Sequence, residues 1–298
     1  MRVFAGGVVT NELNEVLLIL RDDSRTWAVP GGGLDVGEMP PAGAAREVEE
    51  ETGIKVMPLR LVELQFRPEP PAGHLGFTFR CLRRGGQLTP SPESPQVGFL
   101  PSDPLPRPML GMHQQSLRHS LTHRGGPPAW YSYRLPWPVR LGREMLYGYR
   151  DLRRRLRREP VYQPPGEWQM GAFVVLRSPA GEVLWVKRTD RDVWNLPGGG
   201  QAGIEAPWET AMRETYEETG LVVCLTDLPS IEVKPAQGLM VFTFTAEVTG
   251  GQLTTGPEAA DFAYFPAGGE PANILPRHVV RVADAVAGHG VTQFRQEE

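Results

Sequence analysis

Cysteine is nearly absent from this chain of 298 residues, which holds only Cys81 and Cys224. Two thiols lying in different repeats cannot build a disulfide framework, and they suit a reducing compartment. Long apolar runs are missing as well. No stretch approaches the ~20 residues that a membrane-spanning helix requires, so no helical span is expected. The first residues show no signal-peptide pattern, because Glu12, Asn14 and Glu15 interrupt the apolar positions early. The expected location is cytoplasmic. An overall excess of positive charge is lacking too, since the net charge is −4. The charge is nevertheless uneven. Eleven arginines between Arg118 and Pro160 face only Glu144, Asp151 and Glu159, which makes that stretch +8 and the remainder −12.

What is present suits a folded chain of two domains. A composition of 40% hydrophobic and 22% charged residues is that of a globular protein, and the length allows two cores. The segment Ala5–Arg21 returns as Ala172–Arg188, an offset of 167, and Trp27–Gly33 returns as Trp194–Gly200 at the same offset. Gly85–Thr89 returns as Gly250–Thr254 at an offset of 165. Two copies so far apart are a duplicated domain and not a solenoid. In each copy an apolar strand (Val16–Leu20; Val183–Val186) precedes a Pro-Gly loop and a helix stopped by Gly53 or Gly220. Alternating strands follow (Leu75–Leu82; Leu239–Val248), and then a last helix (Leu110–Leu121; Arg277–Ala287). Mixed elements of this kind predict an α/β sandwich with a mixed sheet.

The first helix, expected over about Pro41–Thr52, carries Arg46, Glu47, Glu50 and Glu51. Positions i, i+3 and i+4 share a face, so the three glutamates project together, while Pro41, Ala45, Val48 and Thr52 form the stripe toward the sheet. A solvated acidic face is the ordinary explanation of a lone Glu-Glu cluster. Here the cluster follows a glycine loop, sits beside Arg46 and occurs twice. Converging carboxylates repel unless a cation lies between them, and hard oxygen donors suit Mg²⁺ or Mn²⁺.

These residues resemble the Nudix box, G-x5-E-x7-R-E-U-x-E-E-x-G-U with U a bulky apolar residue. Copy one matches through Gly32, Glu38, Arg46, Glu47, Val48, Glu50, Glu51, Gly53 and Ile54. Copy two matches through Gly199, Glu205, Arg213, Glu214, Glu217, Glu218, Gly220 and Leu221, with Thr215 at the bulky position. The resemblance covers about 120 to 130 residues on each side. It implies two Nudix-type α/β/α sandwiches with mixed sheets, and a Mg²⁺-dependent pyrophosphohydrolase acting on a nucleoside diphosphate linked to another moiety. Glu47, Glu50 and Glu51 would then ligate metal with a backbone carbonyl near Gly32, Arg46 would orient the carboxylates, and Glu38 would support the loop or a further ion through water. In copy two the same roles fall to Glu214, Glu217, Glu218, Gly199, Arg213 and Glu205. Arg21 and Arg188, in register before the loop, are candidates for a forked phosphate contact. Glu93 and Glu258, at an offset of 165, sit where many relatives carry a later acid that serves as base or extra ligand, an ordinary loop acid being the other reading. A proline about fifteen residues past the box favours ADP-ribose in some relatives, and Pro68, Pro70, Pro71 and Pro235 fall near there. Two departures mark copy two: Thr215 needs a hydrogen-bond partner in a core, and Ile204 stands where Gly37 could take a positive φ. Trp208 and Met212 could supply apolar volume on that helix.

Residues 123–165 lie between the expected domains, 1–122 and 166–298, and show no counterpart after copy two. Leu141, Met145, Tyr149, Leu152 and Leu156 recur there at helical spacing among seven arginines, after an aromatic stretch of Trp130, Tyr131, Tyr133 and Trp137. This reads as a basic helical connector, with an acidic partner, nucleic acid or an anionic membrane surface as its other possible roles. His113 and His278, in register at 165, are expected to flank the last helix, not to bind metal. Phe77 and Phe79 are expected in the core. Two other functional readings stay open. One is a nucleotide-sensing regulator; the other is one active copy beside a structural copy, for which Thr215 and Ile204 single out copy two. An intramolecular pseudo-dimer or a homodimer is the expected assembly.

Overall fold

The computed structural model describes residues 1–35, 37–134, 137, 142, 145, 166–288 and 290–297. The first half contains β1 (Arg2–Val9), β2 (Val16–Leu20), β3 (Trp27–Ala28), β4 (Gly31–Gly33), α1 (Pro40–Thr52), β5 (Ile54–Arg67), β6 (His74–Gly86), β7 (Gln96–Leu100), α2 (Gly111–Thr122) and β8 (Ala129–Ser132). The second repeats the order with β9 (Gln169–Leu176), β10 (Val183–Arg188), β11 (Trp194–Asn195), β12 (Gly198–Gly200), α3 (Pro207–Thr219), β13 (Leu221–Lys234), β14 (Leu239–Gly251), β15 (Ala259–Phe265), α4 (Pro276–Ala287) and β16 (Gln293–Gln296).

Each half builds one five-stranded mixed sheet, ordered β4-β1-β6-β5-β8 and β12-β9-β14-β13-β16, and one three-stranded sheet, β3-β2-β7 and β11-β10-β15. Period-two alternation decides which side each strand residue takes. Val3, Ala5 and Val9 of β1 join the core shared with Ala44 and Val48 of α1. Val8 turns the other way, onto Leu18 and Leu117 of α2. A helix therefore covers each face of the large sheet, the α/β/α sandwich expected from the sequence.

Two expectations need correction. The sequence assigns residues from 123 onward to a connector without a counterpart, yet β8 pairs in parallel with β5, and β16 pairs in the same way with β13. Trp130 and Tyr131 are thus strand residues of the first half. Four residues were too short a signal, and β16 has almost no sequence likeness to β8. The helix stripe also shifts by one position in its first half, while Val48 and Thr52 are buried as expected. Pro40, Ala44, Val48 and Thr52 are buried, together with Gly43 and Glu51, while Pro41 and Ala45 are only half-buried. Apart from Gly142 and Met145, the connector helix expected around Leu141–Leu156 lies outside the described residues.

The halves meet through like faces. Phe77 stacks on Phe242, its own equivalent, with ring centroids 6.3 Å apart. Trp130 meets Phe244 edge-on at 5.7 Å, and the equivalent pair, Phe294 and Phe79, lies at 5.5 Å. Met1 donates its N–H to the Trp168 carbonyl at 3.0 Å, and Trp168 returns the bond to Met1 at 2.7 Å. Met1 and Trp168 are again equivalents. One continuous apolar cluster runs from Val3 and Phe77 to Phe242 and Val233, so the two halves share a core. Phe77 and Phe79 are core residues, as expected.

Candidate active site

Both glutamate helices begin with proline, at Pro40 and Pro207, where the missing N–H costs nothing. Both end on a left-handed glycine, Gly53 at φ 74° and Gly220 at φ 75°, a conformation that a Cβ would disfavour. Between these stops the carboxylates take graded depths. Glu51 is buried at 7% exposure and Glu218 likewise at 7%, whereas Glu50 and Glu217 sit at the rim.

The deep glutamate is tied to the glycine loop. The Gly31 N–H donates to Glu51 Oε2 at 2.8 Å, and the Gly198 N–H donates to Glu218 Oε2 at 2.9 Å. The next glycine gives space: a Cβ on Gly32 would collide with the Glu47 carboxylate, and one on Gly199 with that of Glu214. Arg46 then braces the rest. Its Nε donates to Glu38 Oε1 at 2.9 Å, one terminal nitrogen reaches Glu47 at 2.9 Å and Glu50 at 3.1 Å, and the other reaches the Gly33 carbonyl at 3.0 Å. Arg213 repeats the pattern on Glu205, Glu214, Glu217 and the Gly200 carbonyl. Each guanidinium thus uses its planar fork to fix carboxylates from helix and loop at once.

Burial is the main force on the deep carboxylates. It pushes Glu51 up to about 7 against the favourable Gly31 N–H, with Glu47 and Glu93 adding repulsion. Glu218 is pushed to about 7 in the same way, with Glu214 and Glu258 adding to it. Glu47 and Glu214 are also raised by burial, partly offset by their arginines. Carboxylates desolvated beside one another are poised to exchange protons for a cation. In the second half the oxygens of Glu214, Glu218 and Glu258 lie within 4.8 Å of one another, near enough for one ion. Glu258, for which the sequence leaves open a base or extra ligand and an ordinary loop acid, lies in the cluster. The oxygen-only donor set, glycine clearance and raised carboxylates all fit a hard divalent cation.

Arg21 and Arg188 lie beside these clusters, and their charge acts on Glu51 and Glu218. Each presents its fork to an aspartate two residues on: Arg21 to Asp23 at 3.0 and 2.8 Å, Arg188 to Asp190 at 2.7 and 2.9 Å. Thr215 finds its partner four residues back, donating to the Ala211 carbonyl at 2.7 Å. Ile204 avoids a positive φ because Gly203 takes it, at 60°. Met212 is 37% exposed and supplies no core volume, whereas Trp208 is buried against the other half.

His278 is fully buried, pushed down to about 2 by desolvation and by Arg281 and Arg277. His113 is pushed down to about 3, again chiefly by desolvation. Neither joins a cluster of ligands among the described residues. Two buried polar groups escaped the sequence reading. Glu63 accepts from Ser116 at 2.5 Å and pairs with His119 Nδ1 at 2.6 Å, and Glu232 pairs with Arg281 at 2.5 Å. Their signal was an acid within the buried stretch of a strand, Glu63 among Leu61, Val62 and Leu64 of β5 and Glu232 between Ile231 and Val233 of β13. Each pins the last helix of its half to the sheet.

The chain is similar to known proteins along both halves. A family model described as NUDIX domain matches residues 1–123 and 167–278. A MutT-like protein of Streptomyces ambofaciens is 37% identical over 123 residues, covering 41% of this chain and 79% of that protein. An 8-oxo-dGDP phosphatase of Mus musculus is 35% identical over 109 residues, covering 34% of this chain and 33% of that protein. Among solved structures, a MutT protein from Bacillus halodurans aligns at a TM-score of 0.40 and 23% identity, over 45% of this chain and 90% of that one.

Proposed function

For a chain that belongs to the NUDIX family of hydrolases in both its halves, we propose hydrolysis of the diphosphate bridge in a nucleoside diphosphate linked to a further group, at two sites. The observation that carries this reading is the repeated brace, in which one arginine and one glycine loop hold three helix glutamates together in each half. Glu47, Glu50, Glu51 and the backbone at Gly32 would hold Mg²⁺ or Mn²⁺ in the first half, and Glu214, Glu217, Glu218 and Gly199 in the second. A divalent ion bound there supplies charge for a phosphoryl oxygen and acidifies a bound water.

The chain's own residues do the positioning. The Gly31 and Gly198 N–H groups fix one oxygen of Glu51 and Glu218, leaving the other for ligation. Arg46 and Arg213 keep the remaining carboxylates from swinging away as charge builds on the departing phosphate, and Glu38 and Glu205 hold those arginines from the loop side. Arg21 and Arg188 already present a fork to a carboxylate, and a phosphate oxygen pair can take the place of that carboxylate. Glu258, and by register Glu93, would take a proton from the attacking water.

Among substrates, oxidised guanine nucleotides come first, because relatives bear the names 8-oxo-dGDP phosphatase and 8-oxo-(d)GTP phosphatase. ADP-ribose, ordinary triphosphates and dinucleotides follow. The like-face contacts of the two halves support an intramolecular pseudo-dimer, with the cytoplasm as its place of work. The test is release of nucleoside monophosphate from 8-oxo-dGTP, 8-oxo-dGDP, dGTP, ADP-ribose, NADH and a dinucleoside tetraphosphate, with Mg²⁺, with Mn²⁺ and with chelator. Turnover of one class that the chelator stops is the expected result. Tight binding of one compound without turnover of any would replace this reading by the nucleotide sensor.

A further inference from the structure

The seam between the halves is symmetric at its centre and asymmetric at its ends. Ile204, the residue just before the arginine-holding Glu205, crosses to the first half. Its Cγ2 lies 3.1 Å from where a Cβ on Gly73 would stand. Trp208, on the first turn of α3, meets Phe66 edge-on at 6.3 Å with ring planes at 89°. Phe66 and Gly73 flank the β5–β6 turn of the first half, and a Cβ on Gly73 would also press on the Phe66 ring at 2.6 Å. The metal loop and helix start of the second half are thus seated on a hairpin of the first.

The reciprocal contact is missing among the described residues. Gly37, equivalent to Ile204, has open space where a side chain would project. Gly238, equivalent to Gly73, has a carbonyl of its own half, Glu167 O, as its nearest neighbour at 3.3 Å. Pro41 and Val233 replace Trp208 and Phe66. Ile204, one of the departures of copy two, and Trp208, which stands where copy one has Pro41, are therefore the two side chains that reach across.

We propose that Ile204 and Trp208 are positioning residues through which the first half's hairpin sets the geometry of the second half's carboxylate site, with no matching support in the other direction. The link to chemistry is short. Glu205 follows Ile204 and receives Arg213 at 2.6 and 3.2 Å, and Arg213 holds Glu214 and Glu217. Trp208 precedes Glu209, which accepts the Ala206 N–H at 2.8 Å and so closes the loop onto the helix. A loop freed at Ile204 loosens Glu205 and then the whole brace. The proposal rests on the second half being a working site, as proposed above.

The test reads each half separately in the full chain. Glu51→Gln silences the first site and Glu218→Gln the second. In the Glu51→Gln chain, Ile204→Gly is expected to lower kcat roughly ten- to a hundred-fold with KM changed far less, as misplaced catalytic groups do. Trp208→Ala should act alike and Trp208→Phe should retain activity. In the Glu218→Gln chain the same changes should leave turnover as it was. Equal losses in both backgrounds would mean general destabilisation and overturn the proposal, as would no loss in either. If the Glu51→Gln chain turns over nothing, amide exchange at residues 201–206 decides. Faster exchange in Ile204→Gly keeps the positioning role and removes only the second activity, and unchanged exchange removes the positioning role.

Discussion

The two halves carry the same carboxylate brace, contact for contact, yet differ in what supports it. In the first half the loop turns on Gly37 at φ 87°, with space around it. In the second, the left-handed turn moves one residue earlier to Gly203, and a β-branched residue follows and packs across the seam. Val48 lies in the core of one helix and Thr215 in that of the other, both wholly buried, because the threonine hydroxyl is satisfied by its own helix at the Ala211 carbonyl. The comparison separates what the chemistry demands from what the scaffold tolerates. Every glutamate and arginine of the brace is retained twice, while the residues around it are free to change as long as polar groups stay paired.

The largest expected effect tests whether both braces work. Changing Glu51 and Glu218 to Gln together should cost roughly a thousandfold or more in turnover, and each change alone should leave the share of the other half. Loss of all turnover with Glu51→Gln alone would reduce the second half to a scaffold.

The seam comes next. Phe77→Ala and Phe242→Ala each remove one ring of a stacked pair in a shared core, at about 3–5 kcal/mol apiece. Because the rings touch each other, the double change should cost less than the two single costs together. Denaturant melts that show two separate transitions in the parent chain would break the idea of a common core.

A pH series sharpens the likeness of the two sites. Without metal, Glu51 and Glu218 hold their protons up to about 7 when folded, well above the ordinary 4.5. The folded chain therefore binds more protons than the unfolded one in that window. The resulting stability is complete below about 4.5 and is lost as the pH rises through about 7. Taken as the difference between the parent and the double Gln chain, in which the opposite slope of the buried His113 and His278 cancels, the melting temperature of the metal-free protein should fall from pH 5 to pH 7.5, and added Mg²⁺ should restore it by replacing the protons. Each single Gln change should remove about half of the slope; a change carried by one residue alone would show the sites to be unlike.

The smallest effect concerns Thr215→Val, which brings the first half's residue to the second. It removes one internal hydrogen bond without leaving a buried donor, so stability should change by less than about 1 kcal/mol in a denaturant melt.

Most of this arrangement was legible in the sequence. The duplication, the helix stops at Gly53 and Gly220, and the face shared by Glu47, Glu50 and Glu51 all follow from spacing, because local geometry is set by local residues. What escaped is non-local. Which side of α1 is buried depended on where the sheet lies, and it shifted the stripe from Pro41 to Pro40. Strand β8 is recognised only by its pairing with β5. Ile204 looked like a departure, and Trp208 like apolar volume for its own helix, because the surface they meet belongs to the other half.

The stacking of Phe77 on Phe242 has a further consequence. In an assembly of identical subunits, a residue on the two-fold axis always faces a copy of itself, so any substitution there happens twice and a charge must meet its own like. Here the two rings are encoded at separate positions. An acid could be placed at one and a base at the other, or a large group opposite a small one, without the self-clash that identical partners impose. Fusion has turned a self-complementary contact into one that can be edited from either side.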